Sequence, residues 1–194
     1  MRINGAYLII FLILIFLLII KYLPTDLVYQ KSSIDNKDYL VRKMSDKENA
    51  ANLLAEIRIR IFKFIDLLYN DKEEYPEKKK YIEQLKRRIK GVIISESPTN
   101  SEYVSYSVDK GEEISLCLRS KKILAKFHNI NLIMYVVLHE LAHVATPEIG
   151  HTPLFKEVFA FFAEYAVKKD IYKKIDFAMD PTEYCGLILT TSII

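Results

Sequence analysis

His139-Glu140-Leu141-Ala142-His143, followed by Thr146-Pro147 and then Gly150-His151-Thr152-Pro153-Leu154-Phe155, is the stretch that decides how this chain is read. In an α-helix, side chains four residues apart project from one face, about a turn apart. His139 and His143 can then hold a single ion from one side, with Glu140 close enough to take a proton from a water bound there. Ile130, Ile133, Met134, Val137, Leu138 and Leu141 recur at helical spacing, and Asn129 or Asn131 suits the cap of the first turn. Thr146-Pro147 stops the helix, because the residue before proline is pushed out of the α region. Gly150 permits a sharp reversal. Thr152 and Pro153 read as the N-cap and first residue of a new helix, so the turn returns His151 towards the same ion.

A hydrolytic zinc site needs three protein ligands and one open position. The chain has four histidines, and three of them fall in this stretch. The expectation is a Zn2+ site with His139, His143 and His151 as ligands and Glu140 as general base. Glu164, on the following helix, stands as an alternative third ligand. His128 precedes the helix and has no partner at metal-binding spacing.

At 194 residues the length suits one compact domain plus an appendage. Ala6 to Ile20 is unbroken apolar sequence, and Pro24 ends the run that continues past Lys21. This predicts a transmembrane signal anchor over residues 1–23, a polar tether over 24–38 and a compact domain over 39–194. A cleaved signal peptide is the alternative, but the run is long for one and no small-x-small site follows it. The expected location is therefore a single-pass membrane protein, contacting the bilayer through its N-terminal helix. Cations on both sides of the run leave its orientation open.

Within the compact domain the patterns predict an α+β fold, a small antiparallel sheet packed on helices. Tyr39 to Met44 reads as a strand, and Ser45-Asp46-Lys47-Glu48 as a capping box opening a helix to about Asn70. A second helix is expected from Pro76 to Gly91. It carries Lys78, Lys79, Lys80, Lys86, Arg87, Arg88 and Lys90, a cluster able to meet nucleic acid or anionic lipid. Interleaved glutamates and a net charge of only +3 favour a solvated face instead. Val104–Val108 and Ile114–Leu118 read as a hairpin through Asp109-Lys110-Gly111-Glu112. Tyr184–Leu189 reads as a short strand in which Tyr184 is a candidate oxyanion donor, though packing is the favoured role. Cys117 and Cys185 fit either a disulfide or two buried thiols. The apolar residues after His151, Phe155 among them, read as core.

The HExxH run, with Gly150-His151 and Phe155 four residues on, resembles the WLM and SprT-like zinc metallopeptidases. In those families the third histidine sits just before a helix; here seven residues separate it from the second, more than is usual in WLM proteins. A wider resemblance, to membrane-anchored WLM-like proteins of large DNA viruses, rests on Tyr39–Arg42, Ser105–Glu112, Leu116–Arg119, the HExxH stretch and Glu183–Gly186. It implies a zincin-like fold, a protein or peptide substrate and a host or virion membrane. In zinc peptidases that this chain resembles, an edge strand above the metal pairs with substrate, a role for Ile114–Leu118 unless that hairpin is purely structural. Some relatives act on proteins attached to DNA, which keeps nucleic acid a possible but not favoured partner. The alternative function is a non-catalytic membrane or envelope protein with a structural zinc, against which Glu140 and the three-ligand count argue.

Overall fold

Two extended segments meet first, in a structure that is a computed structural model describing Tyr7 and residues 9–15, 26–123 and 126–194. β1 (Leu27–Lys31) and β2 (Asp38–Arg42) pair antiparallel, Leu27 opposite Arg42 and Lys31 opposite Asp38. β1 thus lies inside the stretch read as tether. The alternation of β2 buries Tyr39 and Val41 against the helix that follows.

That helix, α1 (Lys47–Asn70), buries Leu54, Ile57, Ile61, Ile65 and Leu68 on one stripe, as its periodicity predicts. Each such side chain contributes roughly 1.5–3 kcal/mol on burial. The expected capping box does not form: Asp46 is the N-cap but makes no side-chain cap bond. Its carboxylate is drawn instead to the guanidinium of Arg119, which also bonds the fully buried Glu96 at 2.7 Å. A buried cation needs paired anions more than a helix end needs a cap, because water can serve the helix end.

A 3-10 turn (Lys72–Glu74) leads to α2 (Lys79–Arg88), shorter than the Pro76–Gly91 expected, with Tyr81, Ile82 and Leu85 inward. The main sheet comprises β3 (Ile93–Glu96), β4 (Tyr106–Val108) and β5 (Glu113–Leu116) in the order β3-β5-β4. β3 is parallel to β5 and β4 antiparallel to it, so the expected antiparallel sheet is in fact mixed. β3, like β1, was not expected from the sequence, and it moves β5 to the centre.

α3 (Ile130–Ala145) and α4 (Pro153–Lys168) begin as predicted. The Asn129 side chain accepts from the Asn131 N–H at 2.8 Å, and Thr152 Oγ1 from the Phe155 N–H at 3.2 Å. α3 runs through the middle, touching α1, α2, α4, β4 and β5. Its last two turns emerge beside the free edge of β4. The chain closes with a hairpin, β6 (Thr182–Tyr184) and β7 (Leu187–Leu189), joined by Cys185 and Gly186, both at positive φ (53° and 92°). Successive positive φ values match the twist of a tight hairpin. The domain is α+β.

The anchor expected over residues 1–23, and with it the single-pass membrane location, is corrected. Among the described residues no helix is long and apolar enough to cross a membrane. Residues 9–15 are helical. The remainder of 1–23, apart from Tyr7, lies outside the described residues.

Candidate active site

His139 and His143 face the same way because they are one turn apart on α3, and His151 comes back to them from the exposed turn at Pro147–Gly150. His139 Nε2 lies 3.2 Å from His143 Nε2 and 3.0 Å from His151 Nε2. The three imidazoles offer ligand atoms that all fall within 4.8 Å of one another. A tetrahedral zinc with nitrogen ligands at about 2.0 Å separates those nitrogens by about 3.3 Å. The donor set fits such an ion. Glu164 is exposed on α4 and is not one of the group.

Phe155 sits beneath all three rings. It stacks on His143 with centroids 4.1 Å apart and lies 4.9 Å from both His139 and His151. Read from sequence as core, it is buried, but the face it offers is to the imidazoles. Burial, and then the neighbouring rings, holds His139 down to about 3 and His143 down to about 4. Both are therefore neutral at physiological pH, the form that ligates metal.

Glu140 is 5% exposed. Burial pushes its carboxyl up to about 7, against the pull of the Ser107 hydroxyl and backbone N–H, which bond to it. Ser107 belongs to β4, so the strand opposite α3 holds the acid in place. Between the two lies an open cleft of about 910 Å³, walled by the histidines, Gly150 and Ile149 on one side and by residues of 101–110 on the other.

The strand above the cleft is not the one expected. Ile114–Leu118 falls largely on β5, whose two edges are taken by β3 and β4, and it has no free backbone to offer. β4 holds the edge position. Nor does Tyr184 face the chemistry: its buried hydroxyl donates to the Cys117 carbonyl at 2.9 Å and contacts Ser105 Oγ at 2.9 Å. Since the single Tyr184 proton goes to the Cys117 carbonyl, Ser105 Oγ donates to Tyr184 while accepting the Cys117 N–H, and the three groups satisfy one another. Side chains thus replace the next ladder rung, and the chain upstream of β4 peels away to wall the cleft. The two cysteines form a disulfide, Cys117–Cys185. His128 accepts the Cys185 N–H at 3.1 Å and rests on Tyr184, away from the metal group.

Three of the seven cations of the basic cluster are paired with carboxylates. Lys78 pairs with Glu157, Lys79 with Glu73 and Lys86 with Asp66, while Arg88 bonds the Val144 carbonyl at the end of α3.

The chain is similar to several known proteins. A WLM domain matches residues 81–152, which span β3, β4, β5 and the histidine stretch. Uncharacterized protein R325 of Acanthamoeba polyphaga mimivirus is 46% identical over 192 residues, 99% of this chain and 96% of that protein. Uncharacterized protein 136R of Invertebrate iridescent virus 6 is 35% identical over 69 residues, 35% of this chain and 38% of that protein. Among solved structures, Wss1 from Saccharomyces cerevisiae aligns over 67% of this chain and 88% of its own, with 21% identity and a TM-score of 0.46. The chain belongs to the WLM family, a family of zinc-dependent proteases, and its relatives include proteins of large DNA viruses.

Proposed function

We propose that this protein is a zinc-dependent peptidase that hydrolyses peptide bonds in extended polypeptides. The observation that carries the reading is the convergence of three Nε2 atoms beside a buried carboxyl at the floor of an open cleft. His139, His143 and His151 would hold the ion, and the chemistry it supplies when bound is Lewis-acid activation of water and of the scissile carbonyl. Glu140 moves the proton: its carboxylate accepts one from the attacking water and returns it to the departing amine nitrogen. Ser107 keeps that carboxylate aimed, and the free edge of β4 pairs with the substrate backbone, which favours extended chains over particular side chains. The catalytic unit is residues 39–194, to which β1 adds a strand.

A closed structural zinc site would use a fourth protein ligand. Among the described residues the group has three members, all histidines, and His151 is exposed to the cleft. That supports catalysis over a purely structural ion.

Metal analysis combined with digestion of a peptide library tests the assignment on the full chain. One zinc per chain is expected, held much more weakly in His151→Ala, where His139 and His143 remain, and unchanged in Glu164→Ala. Glu140→Gln should keep the zinc while turnover falls about a thousandfold, the scale of a lost general base. Zinc-loaded wild type that cleaves no peptide, or Glu140→Gln equal to it, overturns the proposal.

A further inference from the structure

Between β4 and β5 the chain takes three positive φ angles in a row, at Asp109 (44°), Lys110 (58°) and Gly111 (115°). Left-handed backbone costs on the order of 1 kcal/mol or more for a residue bearing a Cβ, so two in succession persist only where their surroundings hold them. One hold is steric. A Cβ at Gly111 would stand 2.9 Å from Val144 Cγ1 and 3.3 Å from the Arg88 carbonyl oxygen, so the turn lies directly on the end of α3.

The other hold is Lys110 itself. Its ammonium donates to the carbonyl oxygens of His143 at 3.2 Å, Thr146 at 3.2 Å and Glu148 at 2.6 Å. An ammonium has three hydrogens, and three carbonyls use them. None is left for a substrate carboxylate or phosphate, although Lys110 lines the cleft. A cation so near a site suited to a dication is unfavourable in charge alone, which points to a positional role. The last carbonyls of a helix lack partners within it. Gln84 Nε2 serves Ala145 at 2.8 Å and Arg88 Nη1 serves Val144 at 2.7 Å. Lys110 alone of these three side chains is bonded to Glu148, three residues before His151. The loop it reaches is otherwise thinly held, since Pro147, Glu148, Ile149, Gly150 and His151 are all exposed.

We propose that Lys110 is the positioning residue of the third metal ligand: it ties the substrate-side turn to the loop at 146–150 and so fixes where His151 sits. The proposal rests on the zinc reading above, and its test separates the two. Zinc affinity of the full chain is measured by competition with a chromophoric chelator, for wild type, Lys110→Met, Lys110→Gln, His151→Ala and the double variant Lys110→Met/His151→Ala. Lys110→Met is expected to weaken zinc binding about tenfold or more, the scale for a group that orients a ligand, with an unchanged circular dichroism spectrum. Lys110→Gln, able to reach fewer carbonyls, should lie between. Because Lys110 acts through His151, Lys110→Met should add less than about twofold once His151 is gone. Wild-type affinity in Lys110→Met, or an equal loss in both backgrounds, overturns the role. Should Lys110→Met not fold, Lys110→Gln replaces it in the same cycle, and the same outcomes support or overturn the role. Wild type that binds no zinc overturns the metal reading and this proposal together, whereas a zinc-binding wild type with an indifferent Lys110 overturns this proposal alone.

Discussion

On one wall of the cleft, His139, Glu140 and His143 ride on a single helix, with His151 eight residues beyond. On the other wall, Ser107 sits in a strand three residues long, held from far along the chain. Ser105 meets Tyr184, 79 residues away, and the Cys117–Cys185 bridge spans 68. The first wall is specified mostly by helical period and two caps, with Lys110 as its tie to the other side. The second pairs with β5 and also leans on the C-terminal hairpin through Tyr184 and Cys185. The two should therefore respond to different perturbations: damage to the hairpin should loosen the hold on peptides and the global stability, while zinc affinity stays within about twofold, in the way distant sites act independently.

The largest of these effects belongs to the disulfide. Replacing both cysteines by serine releases a 68-residue loop, worth about 4 kcal/mol on the chain-entropy account. Urea unfolding should register that loss and peptide KM should rise, whereas chelator competition should not move. A zinc affinity that fell in step would mean the two walls are one unit. Next comes Tyr184→Phe, which strips the Cys117 carbonyl and Ser105 of a partner in a buried place at a cost of about 1–3 kcal/mol. Its signature is the same split, a lower thermal midpoint and weaker peptide binding with the metal retained. Smallest is the response at His128. Burial above all holds its imidazole below the ordinary 6.5, despite the opposing charge of Glu183. The unfolded chain then takes the proton first as pH falls. The stability His128 lends is complete above about pH 6.5 and is lost as pH drops through its lower folded value. The thermal midpoint should fall below pH 6.5 less steeply in His128→Gln than in wild type; equal slopes would remove His128 from the lock on the hairpin.

The same contrast explains what could be read in advance. The caps at Asn129 and Thr152 formed because each needs only a side chain and an N–H two or three residues away. That three rings come together was legible for a similar reason, since two share a helix face and a glycine turn returns the third; their service as ligands is the proposal made above. Where a distant partner competes, local signals failed. The capping box at Ser45–Glu48 gave way to a helix capped one residue later by Asp46, whose carboxylate pairs with Arg119, 73 residues on. Ile93–Glu96 gave no sign that it would lie parallel to β5, and that one pairing moved the free edge from Ile114–Leu118 to Tyr106–Val108. Hydropathy alone suggested the anchor over 1–23, but among the described residues no helix is long and apolar enough to cross a membrane.

The brevity of β4 sets how the enzyme would choose its targets. Three residues offer a docking rail no longer than a few peptide units, about 10 Å at strand rise. On the function proposed above, so short a grip would read little of a target's composition and would discriminate chiefly by whether a stretch of chain can lie straight. Damaged, half-unravelled or naturally floppy proteins would be cut, and well-folded neighbours spared, without any recognition motif.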